Sequence, residues 1–99
     1  LPLGTGDAGF LGGLARGIEQ IRCFGADVLV LAAGLDAFAG DPFGGLEVTT
    51  EGFGRIGRLC AEIGLPTVIV QEGGYLSPEL TTNLTALLGG FRDGQAARR

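Results

Sequence analysis

The fold is decided by the stretch Val28-Leu29-Val30-Leu31-Ala32-Ala33, a continuous apolar run without alternation. A strand with one solvated face alternates apolar and polar residues, whereas a strand covered on both faces, as in a parallel sheet, is apolar throughout. A second short apolar run, Thr67-Val68-Ile69-Val70, follows Pro66. The sequence therefore predicts two buried strands of a parallel sheet.

Three helices are predicted around these strands. The first begins near Asp7, a suitable N-cap, and ends at Gly25. Thr49 or Thr50 caps the second, and Ser77 caps the third. Apolar residues recur at helical spacing in all three segments. These residues are Phe10, Leu11, Leu14, Ile18 and Ile21, then Phe53, Ile56, Cys60 and Ile63, then Leu80, Leu84, Leu87, Leu88 and Phe91.

The order strand, helix, strand predicts parallel strands joined by a right-handed crossover. Two wholly apolar strands need helices on both faces and further strands at their edges. We therefore expect an α/β fold with a three-layer parallel sheet flanked by helices, of which this chain supplies about two strands and three helices. Residues 1–91 form the carboxy-terminal segment of that domain, and residues 92–99 form a polar, frayed tail.

Composition excludes several classes of function. The chain has 99 residues, a net charge of −4, and neither histidine nor lysine. It has no basic patch for nucleic acid, no apolar run long enough to span a bilayer, and no short-spaced cysteine motif for a metal. We expect a soluble cytoplasmic protein. Any histidine ligand or base that its chemistry needs must come from elsewhere.

Two unusual segments follow the predicted strands. Asp36 begins a long loop after the first strand, and Gly73-Gly74-Tyr75 follow the second. Because ligands bind beyond the carboxyl ends of parallel strands, Asp36 and Tyr75 should face one cleft. On the residues alone, a turn or capping role for Asp36 is favoured, and Tyr75 suits either packing or donation to an oxyanion.

The two glycines also raise a phosphate-binding alternative. The first strand is not followed by G-x-G-x-x-G, and no lysine is present for a P-loop. Glu72 beside the glycines would repel phosphate. This alternative is the weakest, and protection by nucleotides would support it.

Four segments, in this order and spacing, match known motifs. Pro2-Leu3-Gly4-Thr5-Gly6-Asp7 is similar to a segment that leads into a helix, and Gly34-Leu35-Asp36 followed by Gly40-Asp41-Pro42 resembles G-[AFL]-D with G-D-P. Val48-Thr49-Thr50-Glu51-Gly52-Phe53 resembles L-T-x-x-G-[FY], and Glu72-Gly73-Gly74-Tyr75 resembles E-G-G-Y. Together they resemble the zinc-dependent histone deacetylase and acetylpolyamine amidohydrolase family over almost the whole chain.

The resemblance implies an arginase-deacetylase fold and an amide hydrolase that acts on acetyl-lysine or an acetylated polyamine. Asp36 matches one of three zinc ligands, and the other two are an aspartate and a histidine upstream. Tyr75 matches the catalytic tyrosine that hydrogen-bonds the substrate carbonyl oxygen and its oxyanion. Phe43 matches a residue at the mouth of the substrate tunnel, and Gly73 and Gly74 are expected along it.

The upstream D-x-H motif and the tandem histidines of that family are absent from this chain. A catalytic zinc needs about three protein ligands. We therefore expect the chain alone to be inactive and to require the N-terminal part of the same fold as its partner. A homo-oligomer stays open. The alternative from another class is a non-catalytic α/β module for interaction or assembly through its open sheet edge.

Overall fold

The computed structural model describes residues 1–40, 45–74 and 78–97. Its elements, in chain order, are α1 (Asp7–Phe24), β1 (Leu29–Gly34), a short 3-10 helix (Leu35–Ala37), α2 (Thr50–Glu62), β2 (Thr67–Glu72) and α3 (Pro78–Ala97). The predicted α/β class, with two strands and three long helices, is confirmed.

The two strands are parallel neighbours, as predicted. Leu29 lies opposite Thr67 at one end of the pair, and Gly34 lies opposite Glu72 at the other. The carboxyl ends of β1 and β2 therefore reach the same edge of the sheet. This register brings the two segments that follow the strands together.

Only one face of this sheet is covered by the described residues. Leu29, Leu31, Ala33 and Ile69 share a core with side chains from all three helices. On the opposite face Val30, Val68 and Val70 are 67%, 56% and 49% exposed. The second covering layer that the apolar strands require is therefore not supplied by the described residues, because the three helices all contribute to a single core.

The core is built around α2. Its largest fully buried side chains include Phe53 from α2, Leu87 from α3, and Leu35 and Val48 from the connection between β1 and α2. Helices α2 and α3 approach until their backbones touch, since a Cβ on Gly57 would clash with the carbonyl oxygen of Leu87. Helices α2 and α3 are therefore closely packed against each other.

Two predicted helix ends are confirmed and one is wrong. Gly25 ends α1 in the left-handed region at φ 79°, and the Thr49 side chain caps α2 by accepting a hydrogen bond from the Gly52 N–H. Asp7 is not the N-cap of α1, because Gly6 holds that position without a side-chain bond. The Asp7 carboxylate binds Thr49 instead. The predicted cap at Ser77 lies outside the described residues.

Helix α3 continues to Ala97, beyond the boundary that the sequence predicted at residue 91, so the described part of the polar tail is helical. Gly94 is buried, and a Cβ there would come 2.8 Å from the Cβ of Ala61. Contact with α2 thus holds this polar turn in place. None of the helices in the described ranges is long and apolar enough to cross a membrane.

Candidate functional site

Asp36 lies directly beyond the end of β1, in the short helix Leu35–Ala37. Its two neighbours, Leu35 and Ala37, are 1% and 7% exposed, whereas Asp36 itself is exposed. The buried side chains of Leu35 and Ala37 therefore fix this turn to the core. The Asp36 carboxylate lies at the edge of the sheet, where it is accessible to solvent or a ligand.

Glycines border this carboxylate at the ends of both strands. A Cβ on Gly34 would lie 3.1 Å from Asp36 Oδ1, and a Cβ on Gly73 would lie 3.4 Å from Asp36 Cγ. Gly73 also has φ 73°, a conformation that favours glycine. The two loops therefore share one edge, as the topology predicted. We call the group Gly34, Asp36 and Gly73 the rim.

Gly74 serves packing at the base of the rim. Its φ is 108°, and a Cβ would come 2.6 Å from Leu80 Cδ1 and 3.1 Å from the Leu35 Cβ. The missing side chain lets the first turns of α3 approach the helix that carries Asp36. Tyr75 and Phe43 lie outside the described residues, so the joint placement of Asp36 and Tyr75 stays a prediction.

A backbone segment that the sequence did not predict is hydrogen-bonded to the turn that follows Asp36. We call residues 45–49 the strap. Within it the Val48 N–H donates to the Ala37 carbonyl at 3.0 Å, and the Val48 carbonyl accepts from the Ala39 N–H at 2.8 Å. Farther along the strap, the Glu47 N–H donates to the Thr5 carbonyl at 2.8 Å. The strap thus joins the turn after Asp36 to the segment before α1.

The strap ends in a side-chain junction between α1 and α2. Asp7 Oδ1 accepts from the Thr49 N–H at 2.8 Å, and Asp7 Oδ2 accepts from the Thr49 hydroxyl at 2.5 Å. The same hydroxyl oxygen accepts from the Gly52 N–H at 3.0 Å. A Cβ on Gly52 would clash with the Asp7 carboxylate. We call Asp7, Thr49 and Gly52 the junction.

Thr50, the residue after Thr49, makes a hydrogen bond to α3. The Thr50 hydroxyl donates to Asn83 Oδ1 at 2.6 Å, and Asn83 is buried in α3. Consecutive threonines therefore tie the start of α2 to α1 and to α3. The spacing of the V-T-T-E-G-F segment signalled a cap and a family likeness, but its local pattern could not identify these distant partners.

The rim fits one carboxylate ligand of a zinc ion. Carboxylate oxygen is a normal zinc ligand, and the Asp36 carboxylate is exposed beside two glycines. The described residues contain no group of three histidine, cysteine, aspartate or glutamate side chains that could hold a metal ion. The chain can thus contribute to a metal site, but its described part does not form a whole one.

Neither cysteine is part of the rim. Cys60 is buried in the core, and this burial raises the pKa of its thiol. A raised pKa disfavours the thiolate, which is the form that binds metals. Cys23 is exposed near the end of α1. Cys60 therefore serves as a small apolar core residue.

Comparison with known proteins agrees with this geometry. The histone deacetylase domain model matches residues 1–91. The chain is 43% identical over 91 residues to acetylpolyamine amidohydrolase of Burkholderia pseudomallei, covering 92% of this chain and 27% of that protein. It is 35% identical over 96 residues to histone deacetylase 8 of Arabidopsis thaliana, covering 91% of this chain and 26% of that protein.

A solved structure gives the same result. The crystal structure of the acetylpolyamine aminohydrolase from Burkholderia pseudomallei matches with a TM-score of 0.90 and 41% identity. The match covers 95% of this chain and 28% of that chain. The chain therefore spans roughly a quarter of the length of the relatives that it matches.

Proposed function

Because the chain belongs to the histone deacetylase family and has the arginase-deacetylase fold, we propose that it is the carboxy-terminal part of a zinc-dependent amidohydrolase. The substrate would be acetyl-lysine or an acetylated polyamine. One observation carries the proposal: the Asp36 carboxylate stands exposed beside Gly73, where the two parallel strands end together. Ligands of open α/β sheets bind at such an edge.

Each site residue would have a distinct part in the reaction. When bound, zinc supplies a Lewis acid that polarises a carbonyl and lowers the pKa of a water molecule. Asp36 would provide one of its ligands. Tyr75 would donate a hydrogen bond to the substrate carbonyl oxygen, where negative charge develops. Phe43 would line the mouth of the substrate tunnel, and Gly73 and Gly74 would lie along it.

The remaining ligands and the general base would come from the N-terminal part of the same fold. The chain contains no histidine, and its described residues hold no three-ligand group. The exposed face of Val30, Val68 and Val70 supports such a partner, because apolar strands of parallel sheets are normally covered on both sides. A cytoplasmic location and a homo-oligomer stay predictions.

A chimera tests this proposal. In the Burkholderia pseudomallei amidohydrolase, the aligned segment of 91 residues is replaced by the matching residues of this chain. We expect this chimera to fold cooperatively, to bind zinc and to hydrolyse an acetylated polyamine. Asp36→Ala should remove zinc binding and activity, whereas Glu19→Ala, which removes an exposed carboxylate on α1, should change neither. A chimera that fails to fold, or that folds without binding zinc, contradicts the proposal.

The isolated chain provides a complementary test. A single carboxylate cannot hold catalytic zinc, which needs about three protein ligands. We therefore expect no tight binding in a zinc titration and no turnover in an acetyl-lysine assay of residues 1–99. Robust activity of this chain would show that the requirement for an N-terminal part is wrong.

The exposed sheet face also favours the second candidate function, a non-catalytic module that associates with a partner. Both candidates require the face to be covered, but they differ at the rim. A folded chimera that neither binds zinc nor hydrolyses an acetylated polyamine would favour the assembly module.

A further inference from the structure

We propose that Asp7 is a positioning residue for Asp36 and that it acts through Thr49 and the strap. The contacts between these residues belong to the described structure, while their effect on a metal ion rests on the proposed function. Asp7 lies at the start of α1, a different element from the rim. Its role would be to hold the exposed carboxylate of Asp36 in one place.

In the first step, Asp7 holds Thr49 through two hydrogen bonds. Both carboxylate oxygens of Asp7 accept hydrogen bonds from this residue, one from the backbone N–H and one from the hydroxyl. Hydrogen bonds to an ionised acceptor are stronger than those between neutral groups. The carboxylate also lies near the amino ends of α1 and α2, where helix dipoles favour negative charge. Asp7 therefore fixes the backbone at residue 49.

The second step is the space left for Asp7. Gly52 lies in the first turn of α2, and any Cβ at that position would clash with the carboxylate. Alanine is the better helix former, so a glycine there is unfavourable for α2 alone. Its presence is explained by the approach of Asp7. Both helices thus contribute to the junction. Helix α1 supplies the Asp7 carboxylate as acceptor, and α2 supplies a glycine that leaves room for it.

The third step leads from Thr49 to the rim. Val48 precedes Thr49 directly, is 0% exposed, and makes hydrogen bonds through both its N–H and its carbonyl. Its partners are the Ala37 carbonyl and the Ala39 N–H, immediately after Asp36. The core holds the helix of Asp36 through Leu35 and Ala37. The strap holds the following turn, and Val48 belongs to the same core as Leu35 and Ala37, so a shift of Thr49 would disturb the backbone next to the Asp36 carboxylate.

The test uses the chimera and four substitutions. Asp7→Ala removes the acceptor, and Asp7→Asn keeps one acceptor oxygen in case the alanine variant does not fold. Thr49→Ser keeps the hydroxyl and both bonds to Asp7. Glu19→Ala, on an exposed position of α1, is the matched control for loss of a carboxylate from that helix. Zinc affinity and amide hydrogen exchange are measured together with the folded fraction.

We expect Asp7→Ala to lower zinc affinity by about tenfold, the low end of the loss seen when residues that orient metal ligands are removed. Exchange at the Ala39 and Val48 amides should become faster, while exchange at Leu31 in β1 should not change. Asp7→Asn should give a smaller loss in the same direction. Thr49→Ser and Glu19→Ala should match the parent chimera in both measurements.

Two results would overturn the inference. One is unchanged exchange at Ala39 and Val48 in both Asp7 variants. The other is a loss of zinc affinity that only follows the loss of folded protein. A parent chimera without zinc would count against the proposed function instead, and the exchange rates would still decide whether Asp7 holds the strap.

Discussion

The rim and the junction each present an aspartate, and the two carboxylates are used in opposite ways. At the junction, both oxygens of Asp7 accept hydrogen bonds from Thr49, and Gly52 lies directly against the carboxylate. At the rim, Asp36 is exposed between glycines. A carboxylate whose oxygens are already satisfied stabilises a structure, whereas an exposed one on a firm support can bind a ligand. The difference supports the proposal that Asp36 is the residue that binds a ligand.

Asp36→Ala in the chimera should produce the largest effect, with no measurable turnover of an acetylated polyamine. The loss of zinc affinity should exceed the ~10–100-fold typical of residues that only orient a ligand. Because the side chain is exposed, the free energy of unfolding should change by no more than about 0.5 kcal/mol. Zinc titration, an activity assay and thermal melting of the metal-free protein check the three statements. A variant that keeps its activity would remove the contrast with Asp7.

Tyr75→Phe should rank second. It removes the proposed donor to the oxyanion and keeps the ring, so kcat should fall by about 10²–10³-fold. Zinc affinity should not change, since the phenol is not a ligand in the proposed site. Steady-state kinetics and a zinc titration of the chimera measure both. Equal kcat values for the variant and the parent would place Tyr75 outside the reaction.

Gly52→Ala tests the close packing of Gly52 against Asp7 at the junction. Alanine normally stabilises a helix relative to glycine by about 0.5–1 kcal/mol. Here the new Cβ would displace the Asp7 carboxylate, so we expect a loss of about 1 kcal/mol, the size of a typical hydrogen bond. Gly17→Ala is the matched control, because a Cβ there would meet nothing within 4 Å. Denaturant unfolding of both variants should give shifts of opposite sign, and a gain at both positions would contradict the proposed packing.

The core thiol should give the smallest effect. Burial raises the pKa of Cys60, so the folded state binds its proton more tightly than the unfolded state does. The contribution to stability is complete below the ordinary pKa of a thiol, and it is lost as the pH rises from that value through the raised one. We expect a modest fall in the free energy of unfolding in that range, smaller in Cys60→Ala. Mapping of alkylated cysteines by mass spectrometry should show faster labelling of Cys23.

Local patterns in the sequence were sufficient for several elements. Gly25 ends α1 in the left-handed region, and Thr49 caps α2, as each residue type predicts in its position. The parallel pairing of the two strands also followed from the order of the elements. The extension of α3 to Ala97 did not, because contact of Gly94 with α2 stabilises a turn that looks polar in isolation.

The two faces of the sheet differ in how their burial agrees with the apolar sequence of the strands. A continuous apolar run indicates a strand that is covered on both sides, and one side of β1 is packed against the core as expected. Val30 on the other side is exposed. The apolar sequence of a strand indicates that layers cover both of its faces. The structure shows only the layer that the described residues of this chain supply.

By itself, the sequence determined the class of fold, the strand order and the edge at which Asp36 would lie. Periodicity, turn residues and topology are local or nearly local properties, so they can be read without coordinates. Only the tertiary structure decided how Asp7 is used. Its partner Thr49 is 42 residues away, and the contact depends on how α1 and α2 pack, which no local pattern specifies.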